Sequence, residues 1–260
     1  MPSIQERFAF LPRFRYEGSM TAGQRIELEG TEAHHALRVR RLRPGDGLAL
    51  VDGRGLTARG TIAKLTAHGL AVDLEETARD LGELTRRIIL YQALIKHRRF
   101  ETALAMTVQL GVSAVIPLIC ERSVARPNRE RLPEYLSRWQ RIAWEETKVS
   151  ERSVTPLVGA PVDTTVALRC GACNHKVMLT PRRGAPALDR LVEGLQLGEG
   201  DRLALLIGPE GDFSPAEREA ALEHGCLEAS LGERLLRSEV AGVTAVVAAL
   251  IGLGALEEYH

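Results

Sequence analysis

At 260 residues the chain is long enough for one large or two small domains, and its 34 basic side chains balance 34 acidic ones, which excludes a protein coated in positive charge. A hydrophobic content of 45% with 26% charged residues is that of a folded globular protein and excludes disordered and fibrous classes. Four cysteines do not make a disulfide framework, so a reducing cytoplasm is the expected compartment.

The opening MPSIQERFAFLPRFRY carries charge throughout and lacks the apolar segment of a signal peptide. From there to residue 78, short strand-like runs recur between glycine-containing breaks: Gln24–Leu28, Gly47–Val51, Thr57–Ile62 and Gly69–Leu74. The spacing predicts a small β-barrel over residues 1–78, interrupted by a helical turn at His34–Val39. Arg43–Gly47 is the turn that leads into the next strand.

The charged stretch Glu75–Glu83 is the expected linker, and a second domain over residues 84–260 has a different rhythm. Strand-like apolar runs at Ile88–Ile95, Ala114–Ile119, Lys176–Leu179 and Leu203–Ile207 alternate with helices expected near Phe100–Leu110, Pro133–Val149, Ser214–His224 and from Arg237 onward. That βαβα order predicts an α/β domain whose mostly parallel sheet is covered on both faces. The last helix contains an uncharged run, Val240–Leu256, shorter than the ~20 apolar residues of a membrane span, and is read as buried. Ser214-Pro215-Ala216-Glu217 is a capping box with proline at the first helical position, which fixes the start of that helix.

Some motifs mislead. Gly55 to Thr61 has the glycine spacing of a P-loop without its lysine, and no G-x-G-x-x-G follows an expected strand, which sets aside a dinucleotide-binding oxidoreductase. Cys170-Gly-Ala-Cys173 with His175 is half a zinc site lacking a second pair, so no metal is expected.

The informative segment runs from Leu205 through Gly208-Pro209-Glu210-Gly211-Asp212 to Pro215: a buried strand, a glycine-rich loop and a capped helix, the kind of edge at which α/β proteins gather ligands. Glycines there let the backbone approach a ligand closely. A second glycine-bearing loop, Ser230–Glu239, joins a short strand to the last helix.

In these two loops the sequence closely resembles the RsmE family of SPOUT-superfamily methyltransferases, whose signatures run close to IGPEGGFSPEE and SLGxRILRTETA. The likeness extends to His34–Asp46, Gln109–Val112 and Arg138–Ala143, and covers almost the whole chain. It implies a PUA-like β-barrel ahead of a SPOUT-type trefoil-knotted α/β methyltransferase domain, acting as a homodimer with the final helix at the interface. It also implies S-adenosylmethionine held in the knot, largely by backbone groups, at Leu179, Gly208, Pro209, Glu210, Gly211, Leu231, Gly232, Leu235, Leu236 and Arg237. The implied reaction is methylation of uridine N3 in small-subunit (16S) rRNA on the assembled subunit. Neutral uridine N3 carries a proton, so the site must favour and align the deprotonated base. An arginine would stabilise charge on the uracil carbonyls, and a carboxylate would take the proton or orient that arginine. Arg237 and Glu239 match the family's LRTET segment and Arg152 the arginine closing its EQSGR segment; these are the expected catalytic residues.

RNA contacts are expected from Arg7, Arg13, Arg15, Arg38, Arg40, Arg41 and Arg43, with Lys96, Arg98 and Arg99 in the second domain, because guanidinium forks position phosphates. The sequence departs from the family pattern where EQSGR reads Lys148-Val149-Ser150-Glu151-Arg152, where Asp212 replaces the last glycine of GPEGG, where LRTET ends in Val240, and at Met106, a common lysine. The alternative reading is a retargeted or non-catalytic RNA-binding relative.

Overall fold

The glycine-broken runs of the first eighty residues and the βα rhythm of the rest fold separately. The structure, a computed structural model, describes residues 2–181, 184–198 and 200–256. The chain divides into two units: residues up to Glu83 together with Thr147–Thr155, and Leu84–Glu146 together with Pro156 onward.

The first unit opens with helix α1 (Ile4–Phe8), started by a capping box between Ser3 and Glu6, and strands β1 (Arg13–Arg15) and β2 (Arg25–Glu29). Helix α2 (Gly30–His34) runs on as a π-helical turn over His35–Val39, where the sequence places a helical turn. Strands β3 (Gly47–Val51), β4 (Leu56–Leu65) and β5 (Gly69–Arg79) complete a five-stranded sheet in the order β1-β3-β4-β5-β2. All neighbours are antiparallel except β1 beside β3. Alternation buries Ile26, Leu28, Leu48, Leu50, Leu70 and Val72 with Phe14 in one core.

Most of the expected linker is the second half of β5. Its charges find partners that make a strand tolerable there: Glu75 takes Thr61 and Arg59 of the neighbouring strand, and Glu76 takes Arg7. The chain returns to this unit over Thr147–Thr155. There Glu151 accepts the Phe10 backbone N–H at 2.7 Å, and the buried Arg152 pairs with Glu83 at 2.7 Å.

The second unit contains β6 (Arg87–Ala93), α3 (His97–Gln109), β7 (Ala114–Ile119) and α4 (Leu132–Val149), whose last turn belongs to the first unit. Next come β8 (Leu157–Val158), β9 (Val162–Asp163), α5 (Thr164–Leu168), β10 (His175–Leu179) and α6 (Leu188–Gly194). The last elements are β11 (Arg202–Ile207), α7 (Pro215–Glu223), β12 (Leu227–Ala229) and α8 (Ser238–Gly252).

Every strand pair in this sheet is parallel, in the order β12-β10-β11-β6-β7-β8, with β9 also on β7. Successive strand residues alternate between two apolar layers. Ile88, Leu90, Leu203 and Leu205 pack with Phe100, Leu104 and Trp139, while Tyr91, Ala93, Ala204 and Leu206 pack with Leu168 and Phe213. Helix α8 packs against α3, α6 and β6, and no helix among the described residues is long and apolar enough to cross a membrane.

Candidate active site

Parallel strands that end side by side leave their following loops to converge, and here three adjacent ones do so. Leu179 ends β10, Ile207 ends β11, and Leu231 follows β12; together they wall a cavity of about 250 Å³. Leu235, Leu236 and Ala241 extend the apolar lining, and Leu235 is 82% exposed at its edge. Gly232, at φ +104°, turns the chain between them, with the Ser230 hydroxyl accepting its N–H at 3.1 Å.

One hydrogen-bonded chain fixes the floor. Gln92 on β6 is fully buried and donates to the Ser238 hydroxyl at 2.9 Å, which in turn donates to the Gly208 carbonyl at 2.6 Å. The first residue of α8 is thereby tied to the loop after β11. That loop leads into α7 through the expected capping box: Ser214 accepts from the Glu217 N–H, and Glu217 accepts from the Ser214 N–H. The other Glu217 oxygen also takes the Thr164 hydroxyl and the Glu121 N–H, so the cap binds two more segments. Asp212 closes the loop in a tight turn, its N–H donated to the Pro209 carbonyl at 3.0 Å, with φ at +58°.

Charge gathers at the start of α8. Arg99 of α3 lies 3.4 Å from Glu210 in the β11 loop and 3.6 Å from Glu239 in the first turn of α8. The second Glu239 oxygen is buried without a hydrogen-bond partner among the described residues. Arg237, the residue preceding α8, is exposed on the cavity wall, and no carboxylate of the described residues pairs with it. A free guanidinium on the cavity wall can hold an anionic ring edge.

The structure brings together nine of the ten residues expected around a cofactor: Leu179, Gly208, Pro209, Glu210, Leu231, Gly232, Leu235, Leu236 and Arg237. Gly211 is the exception. It faces away from the cavity, with its carbonyl accepting from Arg122 at 3.0 Å. The lining also takes Thr180, Pro181, Ile207, Asp212, Arg234, Ser238 and Ala241, which sequence reading missed although all lie within four residues of one it singled out.

Among the expected catalytic residues, Arg237 lines the cavity, Glu239 does not, and Arg152 is not in this unit at all. Arg152 is a buried partner of Glu83 in the first unit, because that carboxylate also accepts the N–H groups of Ser153 and Val154 and fixes the returning segment.

The expected RNA-contacting residues divide likewise. Arg38, Arg40, Arg41, Arg43, Lys96 and Arg98 are exposed. Arg13 is not available: its side chain is buried, and burial lowers its pKa despite Glu151 at 3.8 Å. Arg7 is held by Glu76, Arg15 lies 3.0 Å from Glu17, and Arg99 is engaged by Glu210 and Glu239.

A parallel α/β unit that gathers an apolar cavity and an unpaired arginine at its strand ends has the build of an enzyme that holds a small cofactor there. Residues 82–250 match the RNA methyltransferase domain family and residues 28–75 the RNA methyltransferase PUA domain family; the chain belongs to this family of RNA methyltransferases.

It is 34% identical over 235 residues to the ribosomal RNA small subunit methyltransferase E of Synechocystis, an alignment covering 90% of this chain and 74% of that protein. Among solved structures it is similar to a methyltransferase of Legionella pneumophila in complex with its cofactor SAM (28% identity, TM-score 0.80). It is also similar to the ribosomal RNA small subunit methyltransferase E of Neisseria gonorrhoeae bound to S-adenosyl methionine (27% identity, TM-score 0.81). In both cases 92% of this chain and 97% of the other are covered.

Proposed function

We propose that the chain methylates N3 of a uridine in small-subunit rRNA with S-adenosylmethionine. The observation that carries this reading is the unpaired Arg237 on the wall of the cavity, just ahead of α8. The relatives named as small-subunit methyltransferases, and the two similar structures that hold the cofactor, support the substrate and the cofactor.

The cavity fits that cofactor. Leu179, Ile207, Leu231, Leu236 and Ala241 offer an apolar wall for a purine, the loops supply backbone donors and acceptors for a ribose, and Glu210 and Arg234 give opposite charges for a zwitterionic tail. When bound, the cofactor supplies an electrophilic methyl group. The chain's own residues do the rest. Arg237 stabilises the negative charge on a uracil carbonyl, which favours loss of the N3 proton. Glu239, 3.6 Å from Arg99 and off the cavity wall, sets the charge at the start of α8 rather than meeting the base. The exposed Arg38, Arg40, Arg41, Arg43, Lys96 and Arg98 hold phosphates.

The trefoil knot and the homodimer of the RsmE pattern belong to the same reading. Val240, Thr244, Val247 and Ile251 fall on one stripe of α8 at helical spacing, and Val240 and Ile251 are exposed, as a dimer face requires. A cytoplasmic setting belongs to the same reading.

The test is transfer of labelled methyl groups from S-adenosylmethionine to small subunits lacking N3-methyluridine, with the modified nucleotide mapped. Label in N3-methyluridine is the expected result. Cofactor binding with label at another base would mean a retargeted enzyme, and RNA binding without transfer a non-catalytic relative.

A further inference from the structure

The Cys170-Gly-Ala-Cys173 motif is unused by the methyl-transfer site. Among the described residues, no group of three or more His, Cys, Asp and Glu side chains is placed to hold a metal, and all four cysteines are free thiols. What remains at the motif is the relation between its two sulfurs.

The backbone fixes that relation from both ends. The Cys170 N–H bonds to the Ala167 carbonyl at 3.2 Å and closes a tight turn after α5, while the Asn174 N–H bonds to the Arg202 carbonyl at 3.0 Å just ahead of β10. Cys173 is buried among Leu168, Met178 and Cys226, and Cys170 is half-exposed. The two cysteines are separated by two residues in this turn, and Tyr91 of β6 packs in the same apolar cluster as Cys173.

The surroundings divide the four thiols by reactivity. The backbone at Ala172 and then the Tyr91 hydroxyl hold the Cys170 pKa below the ordinary thiol value. Burial raises that of Cys173, and it pushes Cys120 and Cys226 up to about 12. An accessible sulfur that favours its thiolate, next to a buried one that does not, is the arrangement by which a dithiol exchanges with an external disulfide.

We propose that Cys170 and Cys173 form a reversible dithiol–disulfide modification site, with Cys170 the attacking sulfur and Cys173 the resolving one, whose reaction partner is a low-molecular-weight disulfide. The Cys170 thiolate attacks one sulfur of that disulfide, forming a mixed disulfide and releasing one small thiolate. Cys173 loses its proton to solvent and attacks the Cys170 sulfur, releasing the second small thiol. The protein loses two electrons and two protons, and one small disulfide becomes two thiols.

The experiment uses the reduced full-length protein in buffers of graded oxidised-to-reduced glutathione ratio. It is quenched with acid, alkylated with iodoacetamide after unfolding, and digested for mass spectrometry. The expected product is a peptide bearing a Cys170–Cys173 disulfide, two hydrogens lighter than the dithiol, with Cys120 and Cys226 fully alkylated. Cys173→Ser should stop at one glutathione on Cys170. Tyr91→Phe should slow alkylation of native Cys170 at neutral pH several-fold. The proposal is overturned if no linked peptide forms at any ratio, if glutathione accumulates on wild-type Cys170 without ring closure, or if native Cys170 reacts no faster than Cys120.

Discussion

Glu151 and Asp212 hold the same left-handed backbone, at φ +57° and +58°, and both stand where the RsmE signatures carry glycine. Both turns are left-handed here without the residue that makes such a turn easy. A left-handed residue with a Cβ costs about 1–2 kcal/mol, somewhat less for aspartate, whose short polar side chain tolerates the region. The two positions nevertheless respond oppositely to glycine. Asp212→Gly relieves the backbone and is expected to raise stability by about 0.5–1 kcal/mol. Glu151→Gly also removes the acceptor of the Phe10 N–H and the carboxylate facing the buried Arg13, and a net loss of about 1–2 kcal/mol is expected. Urea unfolding of the two variants measures the signs; a gain of stability in both would show that the side-chain bonds of Glu151 do not matter, and a loss in both that the Asp212 backbone holds no strain.

Much of this architecture was legible in the sequence. The bounds of β3 and β7 are those of their apolar runs, because each strand is buried on a repeating pattern that nothing nearby imitates. The two loops around the cavity were legible because glycine and proline mark backbone shape directly. The charged half of β5 was not, since its residues are satisfied by partners on β4 and α1 rather than by burial. Nor was the return of Thr147–Thr155 to the first unit. It is fixed by the buried Arg152–Glu83 pair, 69 residues apart in sequence, and a family segment identifies the arginine without showing what it touches.

Helix propensity and packing disagree at Gly242. Alanine in the middle of a helix is usually favoured over glycine by about 1 kcal/mol. A Cβ on Gly242 of α8, however, would overlap the Gln92 Oε1, and the Gln92 amide is committed to Ser238. Gly242→Ala is therefore expected to lose about 1–3 kcal/mol as overpacking. Adding Gln92→Ala should recover part of that loss, a coupling that a double-mutant cycle reads directly. Additive losses would mean that the two residues do not meet.

Arg237 and Arg152 are two candidates of equal standing in the sequence that the structure separates. Arg237→Ala removes an exposed, unpaired guanidinium from the cavity wall, so methyl transfer should fall by about 100-fold or more while the unfolding midpoint is unchanged. Arg152→Ala removes the cation paired with the part-buried Glu83, which keeps the Ser153 and Val154 N–H groups, and should cost about 1–3 kcal/mol of stability. Transfer assays and denaturation on both variants decide the matter, and near wild-type transfer by Arg237→Ala would remove it from the mechanism.

The arginines of the first unit separate by exposure in the same way. Arg40 and Arg41 are exposed just beyond the π-helical turn, whereas Arg13 is buried with its Nε and Nη1 lacking hydrogen-bond partners among the described residues. A phosphate contact releases counterions, so each one lost should flatten the plot of log affinity against log salt by about one. Arg40→Ala and Arg41→Ala should each weaken binding to small-subunit rRNA and lower that slope. Arg13→Met should leave the slope as it is, because its guanidinium never reaches solvent, and should change stability instead. Titrations of the full-length variants at several salt concentrations test the assignment: a slope unchanged by Arg40→Ala and Arg41→Ala would place the RNA on another face, and a slope lowered by Arg13→Met would mean that the buried side chain opens on binding.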